Sequence, residues 1–329
     1  MRPVLSVEPP ELFFEDFDEG GEFPVETRGP LMVGHQVRWA GATDNYDSEF
    51  HHDEYVAKAQ GLPGILLSGP FIAAWLLSSI NRWMGREARV LRFADRNTGW
   101  IMPREVLRFE GRVASTARQE GGGLVDLDCR VENDRGVTVT TARASLLLPS
   151  REKSAKRAAL SPLAPEENAR ENGTENRAPV GAGALEAELQ KMLGPMGEPE
   201  TLPIELLAVR RMATTVEDFD PIHFDEEKAR SRGYRGIVAP WPILWLLYFN
   251  CSHQRPQFSF GKATVHGEDA YAFFEPIIVG DSITVEAAVT DARVKEGRSG
   301  LLGFLTTERR FVNGSGKLCA TLRTLVIRR

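Results

Sequence analysis

The sequence predicts an α+β fold made of two related units in tandem. Three observations support this: an internal repeat, an apolar helix-forming stretch in each half, and alternating strand-like runs after each stretch. We expect each half to pack one long buried helix against one curved antiparallel sheet, because this arrangement hides the apolar face of both. At 329 residues, the chain is long enough for two domains that each bury a core.

The repeat relates HHDEYVAKAQGLPGILLSGP, residues 51–70, to HFDEEKARSRGYRGIVAPWP, residues 223–242. The two segments align without a gap at a constant offset of 172 residues (223 − 51) and agree at eight of 20 positions. Two glycines and one proline, whose backbone geometry is special, are among the matches. Agreement over this length indicates duplicated domains rather than a solenoid of short repeats.

Residues 150–184 separate the two halves. Their composition is charged and rich in Pro, Ala, Gly and Asn, with few large apolar side chains, which predicts a flexible linker. The predicted domains are therefore residues 1–149 and residues 185–329.

Each half has a helix-forming stretch followed by strands. The stretches PFIAAWLLSSINRWMG and PILWLLYFNCSH begin with Pro70 and Pro242, and proline suits the first position of a helix. Both are apolar nearly all round, as expected of a buried helix. Strand-like runs follow, namely EVLRFEGRV, LVDLDCRVEN and VTVTTARASLLL in the first half and SITVEAAVTDARV, LLGFLTTERRFVN and KLCATLRTLVIRR in the second. The two sheets could pair edge to edge, which would remove an exposed edge.

Composition excludes several classes of function. The net charge of −6 shows no basic excess, which argues against a nucleic-acid partner and against an anionic membrane surface. The three cysteines are scattered and form neither a disulfide framework nor a metal-binding pattern. The most apolar run, residues 237–249, is too short to span a bilayer, and the N-terminus lacks a signal-type apolar core. We therefore expect a cytoplasmic protein.

The segment VEDFDPIHFD, residues 216–225, contains the most suggestive chemical pattern. Asp218 precedes His223 by five residues, just before the predicted buried helix. A carboxylate and an imidazole that share one water molecule can supply both an acid and a base. Burial can tune the pKa of each group towards neutrality.

This segment resembles the motif of (R)-specific enoyl-CoA hydratases of the MaoC-like family. That motif has an Asp, then Phe-Asn-Pro-Leu/Ile, then His, then Ala six residues later, which is Ala229 here. Glu217 stands where the family usually has Gly, and Asp220 where it has Asn. The second half also resembles the FAS1-type dehydratase variant through GYRGIVAP, EPIIVGDSITV and KEGRSG. The first half resembles the ordinary MaoC domain through VRWAGAT, HHDEYVAKAQGLPG and SGP.

The resemblance implies a tandem, or double, hotdog fold and assigns catalytic roles to Asp218 and His223. The first half has His51 at the matching place, but Tyr46 stands five residues before it. Asp44 and Asp47 flank that tyrosine, as though one residue had been inserted. Either acid could therefore serve His51, so both halves remain candidates for the catalytic one.

The family's oxyanion donor is the backbone amide of a glycine eighteen residues after the histidine. This position holds Gly69 in the first half and Trp241 in the second. A helix start is suited to this role because its amides and its dipole face the oxyanion. The halves thus disagree: the second has the better acid–base spacing, whereas the first has the glycine.

The resemblance implies reversible hydration of 2-enoyl thioesters, or dehydration of 3-hydroxyacyl thioesters, without a metal or other cofactor. The expected partner is an acyl-CoA or acyl-carrier thioester, and the chain could be a monomer or a homodimer. Two alternatives stay open: a non-catalytic thioester-binding partner of another hydratase subunit, and a hotdog acyl-CoA thioesterase.

Overall fold

The computed structural model describes residues 8–46, 48–153, 183–253, 264–297 and 300–328. Most of the predicted linker, residues 154–182, lies outside these ranges. On either side of it, both halves consist of helices and an antiparallel sheet, as the α+β prediction requires.

The described strands form one continuous sheet with the order β1-β3-β4-β5-β2-β8-β11-β10-β9-β6, in which β7 also pairs with β9. The two halves meet where β2 pairs antiparallel with β8. The expected edge-to-edge pairing is therefore confirmed. The strands are β1 (Glu26–Arg28), β2 (Arg89–Asn97), β3 (Leu107–Gln119), β4 (Gly122–Asn133), β5 (Thr138–Pro149), β6 (Gly194–Pro195), β7 (Glu200–Pro203), β8 (Thr264–Phe273), β9 (Ser282–Gly297), β10 (Gly300–Asn313) and β11 (Leu318–Arg328).

The sequence patterns identified three long strands in each half but missed the two at the seam. In β2 and β8, charged residues occupy positions that face the interior, namely Asp95 and Asp269. These acids interrupt the alternation of apolar and polar residues on which strand recognition depends.

The described helices are α1 (Val33–Thr43), α2 (Glu54–Ala59), α3 (Gly69–Met84), α4 (Gly183–Gln190), α5 (Leu206–Thr215), α6 (Glu226–Ser231) and α7 (Ile243–Asn250). Helix α3 is the expected long buried helix, with 13 of its 16 residues buried. None of the helices in the described ranges is long and apolar enough to cross a membrane.

The helix of the second half is shorter than α3. Helix α7 has eight residues and ends at Asn250, after which Cys251 has an extended backbone. Contacts with the β7 region hold the chain extended: Ser252 donates to the Glu200 carboxylate at 2.7 Å from both its backbone N and its Oγ. His253 Nε2 lies 3.1 Å from the Glu198 carbonyl oxygen.

A pair of buried acids lies at the seam. Asp95 of β2 is directly opposite Asp269 of β8, and only 3% and 1% of their surfaces are exposed. Asp269 accepts hydrogen bonds from Thr324 Oγ1 at 2.8 Å and from His266 Nε2 at 2.6 Å. Neither carboxyl oxygen of Asp95 has a hydrogen-bond partner among the described residues. Burial raises the pKa of Asp95 well above its ordinary value, and the negative charges of Asp269 and Glu268 raise it further.

Asp95→Asn should stabilise the protein at neutral pH. Folding raises the pKa of this acid, so the folded state loses stability as the pH rises above the pKa of an aspartate in the unfolded chain, which is about 4. The neutral amide avoids this loss, which we expect to amount to about 1–3 kcal/mol. Urea unfolding midpoints at several pH values measure the effect, and the difference from wild type should vanish in acid.

Asp269→Asn is the matched control. It weakens the hydrogen bonds from Thr324 and His266, so it should lower the midpoint at neutral pH. Equal destabilisation by both substitutions would contradict the inferred asymmetry of this pair.

Candidate active site

Asp218 and His223 lie together in the second half. Asp218 Oδ2 is 3.5 Å from His223 Nε2, and each residue exposes only 5% of its surface. The two groups are therefore close enough to contact the same small molecule while being shielded from bulk water.

The position of His223 is fixed by its own loop. The residue ends a short 3-10 helix, Pro221–His223, whose capping residue Asp220 accepts from the Ile222 amide at 3.1 Å. Arg232 Nη1 donates to Asp220 Oδ2 at 2.7 Å. His223 Nδ1 lies 2.7 Å from the Val238 carbonyl oxygen and donates its proton there, so that Nε2 faces Asp218.

Asp218 is held by the end of α5 and by the first half of the chain. Its backbone amide donates to the Ala213 carbonyl at 2.9 Å, which folds the chain back over the helix end. Its Oδ2 accepts from Nδ2 of Asn81 at 3.2 Å, and Asn81 belongs to α3. The acid of the second half is therefore oriented in part by the central helix of the first half.

The two groups shift each other's pKa in opposite directions. Burial alone would raise the pKa of Asp218, but the charge and hydrogen bond of His223 and the amide of Asn81 bring it below its ordinary value. Burial alone would lower the pKa of His223, but the Asp218 carboxylate raises it above its ordinary value. This separation favours an ionised carboxylate next to a protonated imidazole.

The first half repeats the scaffold of this site. His51 ends a short 3-10 helix, Glu49–His51, and its Nδ1 lies 2.7 Å from the Leu66 carbonyl oxygen. Leu66 is 172 residues before Val238, so the contact is equivalent to that of His223. Asp53 and Asp225 also cap the following helices in the same way.

The first half lacks the acid at this place. Asp44 and Glu217 both have a left-handed backbone, with φ of 56° and 55°. In both cases the backbone amide of the next residue donates to the carbonyl five positions earlier. In the first half Asn45 donates to Ala40, and in the second half Asp218 donates to Ala213. Asn45 is therefore the counterpart of Asp218, at an offset of 173, and one extra residue lies between it and His51.

The structure does not bring Asp44 to His51. Asp44 is exposed at the end of α1, at the position that corresponds to Glu217 rather than to Asp218. Asp47, the other candidate acid, lies outside the described residues. Without a carboxylate neighbour among the described residues, burial lowers the pKa of His51 to about 4, against an opposing hydrogen bond to Leu66.

The two candidate oxyanion positions differ in their surroundings. Gly69 begins α3, and a side chain there would collide with the amide group of Asn97. Trp241 stands just before α7 with its ring stacked on Phe273, at a centroid distance of 4.2 Å. Among the described residues, no acceptor bonds the Trp241 amide, and the ring points to Phe273, so the amide remains a possible donor.

The sequence patterns missed the residues that the first half contributes to the second-half loop. These include Asn81 and Arg82 of α3, which contact Asp218 and Glu217, and Arg28 of β1, which contacts Glu217. Such contacts leave no periodic or spacing signal, because their partners are 135 or more positions away in the chain. Within the described ranges, no three His, Cys, Asp or Glu side chains come together in a way that could hold a metal ion.

The two histidines provide an internal comparison of pKa. We expect the imidazole of His223 to titrate above its ordinary pKa and that of His51 near 4. Asp218→Asn should move the titration of His223 to lower pH, because it removes the charge that contributes most to raising the pKa of this imidazole against desolvation. NMR titration of the labelled imidazoles measures both. An unchanged titration of His223 in the variant would contradict the proposed coupling.

Comparisons with known proteins point to one family. Residues 191–322 match the family model described as FAS1-like, dehydratase domain region. A UPF0336 protein of Clavibacter michiganensis subsp. michiganensis is 31% identical over 147 residues, which cover 43% of this chain and 94% of that protein. A Thermomonospora curvata protein named probable enoyl-CoA hydratase alpha subunit is 25% identical over 163 residues, which cover 44% of this chain and 51% of that protein.

Two solved structures share the fold at low sequence identity. A MaoC domain protein dehydratase from Chloroflexus aurantiacus has a TM-score of 0.71 at 15% identity, covering 97% of each chain. Rv0216 of Mycobacterium tuberculosis, described as having a double hotdog fold, has a TM-score of 0.62 at 15% identity, covering 98% of this chain and 99% of that one. The Clavibacter match, at 31% identity over 94% of that protein, shows that the chain belongs to the UPF0336 family. Its fold is the double hotdog of the MaoC-like dehydratase structures, and its second half matches a FAS1-like dehydratase domain.

Proposed function

We propose that the protein catalyses the reversible addition of water to 2-enoyl thioesters, and that Asp218 and His223 carry the reaction. The observation that supports this is the buried Asp–His contact, with Oδ2 and Nε2 3.5 Å apart and His223 bonded to Val238, five residues before α7. The first half repeats the histidine scaffold, but none of its described carboxylates contacts His51, which favours the second half as the catalytic one.

The pKa directions assign a role to each group. The Asp218 carboxylate accepts a proton from water while the water oxygen bonds to C3 of the enoyl thioester. The protonated Nε2 of His223 gives a proton to C2. The O–H bond of water, the N–H bond of His223 and the C2–C3 π bond are broken, while a C3–O bond, a C2–H bond and an O–H bond on Asp218 form. The proton on Asp218 then returns to His223, which restores both groups for the next turnover.

Negative charge collects on the thioester oxygen during this step. The backbone amide of Trp241 is the proposed donor to that oxygen. Trp241 lies just before α7, in the segment whose Val238 carbonyl accepts the hydrogen bond from His223. A donor fixed in place stabilises a developing oxyanion without reorganisation.

The similarity to relatives supports an acyl-thioester substrate. Part of this chain resembles a protein named as an enoyl-CoA hydratase subunit and a dehydratase domain model. We propose acyl-CoA or an acyl-carrier thioester as the substrate. Monomeric and homodimeric states are both compatible with the proposal, because one chain already contains two hotdog units.

A second candidate function is a non-catalytic thioester-binding partner of another hydratase subunit. Trp241 favours it, since a bulky residue occupies the position where the family has glycine. Hydration by the purified chain alone would exclude this candidate. Activity that appears only after adding a second protein would support it.

Substitution of the Asp–His pair tests the leading proposal. Purified protein should consume crotonyl-CoA or a longer enoyl-CoA, which is followed by the loss of absorbance of the conjugated thioester. Asp218→Asn and His223→Gln should each lower kcat/KM by about 10²–10⁴-fold, because each removes one proton-transfer group.

His51→Gln is the matched control in the first half. It should change kcat/KM by less than about tenfold, since no carboxylate among the described residues accompanies His51. The reverse order, with His51→Gln inactive and His223→Gln active, would move the site to the first half. Failure of all enoyl-CoA chain lengths to react would reject the hydratase proposal.

The pH dependence of kcat/KM gives an independent prediction. The reaction needs ionised Asp218 and protonated His223, so the rate should fall in acid through the lowered pKa of Asp218. It should fall in alkali through the raised pKa of His223, which lies above 6.5. A profile of initial rates against pH tests this, and a rate that rises steadily through neutral pH would contradict the assigned roles.

A further inference from the structure

Glu217 has an unusual backbone directly before the proposed catalytic acid. Its φ is 55°, in the left-handed region that favours glycine. This conformation turns the chain so that the Asp218 amide reaches the carbonyl of Ala213. The family usually has glycine here, so the glutamate must be held in the turn by other contacts.

The side chain of Glu217 is held by an arginine from the other half. Arg28 Nη1 lies 2.6 Å from Glu217 Oε2, although 189 residues separate them in the chain. Arg28 is 8% exposed, and its guanidinium lies over the rings of Trp75 and Phe109 at 5.1 and 5.4 Å from their centroids. Its Nη2 also donates to Ser79 Oγ at 3.4 Å. The guanidinium is therefore fixed by its surroundings.

The backbone of the same region is held by side chains of α3. Arg82 Nη1 donates to the Glu217 carbonyl at 3.2 Å, and Trp75 Nε1 donates to the Thr215 carbonyl at 3.2 Å. With the bond from Asn81 to Asp218, these contacts tie the end of α5 and the first residues of the following loop to one helix. Rigid positioning of this kind is what an acid–base pair requires, since small displacements reduce the rate strongly.

The charge of Arg28 also reaches the proposed acid. Burial lowers the pKa of Arg28 to about 10, while the charges of Glu217, Glu26 and Asp218 oppose that shift. Electrostatic interaction is mutual, so Arg28 favours the ionised form of Asp218 in turn.

We infer that Arg28 and Glu217 are positioning residues, whose ion pair joins the two halves and holds the left-handed turn that presents the Asp218 carboxylate to His223. The inference rests on the proposed function of that pair. It explains why glutamate is accepted at a position where the backbone favours glycine. The ion pair with Arg28 stabilises the left-handed turn, which glycine adopts without such a contact. It also explains how one half of the chain acts in catalysis at the other.

The substitution Glu217→Gly distinguishes a positioning role of the Arg28–Glu217 pair from a general effect on stability. Arg28→Met and Glu217→Gln should each lower kcat on the order of ten- to a hundred-fold with KM changed less than about threefold, because the turn is no longer held. In the Arg28→Met background, Glu217→Gly should restore most of kcat, because glycine adopts the left-handed turn unaided.

Two variants serve as controls. Arg28→Lys keeps a charge near Glu217 and should retain more activity than Arg28→Met. Arg143→Met removes an arginine that is 88% exposed and pairs with Asp128, and it should leave kcat unchanged. Circular dichroism and melting curves establish that each variant is folded. An unchanged kcat in Arg28→Met, or no recovery in the double variant, would overturn the inference.

The titration of His223 keeps this test independent of activity. If the turn relaxes in Arg28→Met, Asp218 moves away and the imidazole of His223 should titrate at lower pH than in wild type; the double variant should restore the titration. A wild-type protein without hydratase activity would reject the proposed function alone. A His223 titration that is the same in all folded variants would reject the positioning role, whatever the activity.

Discussion

The antiparallel pairing of β2 with β8 is the interaction on which the rest of the structure depends. It joins two sheets into one and removes an exposed edge from each half. It also fixes the halves relative to each other, so that the end of α3 meets the loop after α5. The proposed site in the second half is therefore completed by the first half. Neither half alone contains all the groups that orient Asp218.

The two halves share the backbone arrangement around their histidines but differ in the side chains placed there. Each histidine donates to a carbonyl fifteen residues further along the chain, and each following helix is capped by an aspartate. The second half has Asp218 in its acid position and the first has Asn45. At the helix start it is the first half that has the residue typical of the family, Gly69, whereas the second half has Trp241. In the proposed mechanism the acid, rather than the glycine, determines which half transfers protons.

Much of the fold was predictable from local pattern. Six long strands, the buried helix α3 and the pairing of the two sheets follow from alternation, apolar stretches and the repeat. The sequence patterns did not identify β2 and β8, because Asp95 and Asp269 face inwards at positions that usually hold apolar residues. The length of α7 was not predictable from local pattern. The helix ends just before Ser252 donates to the Glu200 carboxylate, and these two residues are 52 positions apart in the chain.

The sequence by itself determined the tandem architecture and the five-residue spacing of Asp218 and His223, because both depend on residues that are near one another in the chain. The tertiary structure decided that Asn45 takes the acid's place in the first half, since an insertion hides this from any fixed offset. It also decided that Arg28 holds Glu217. That contact joins residues 189 positions apart, and only the packing of one half against the other brings them together.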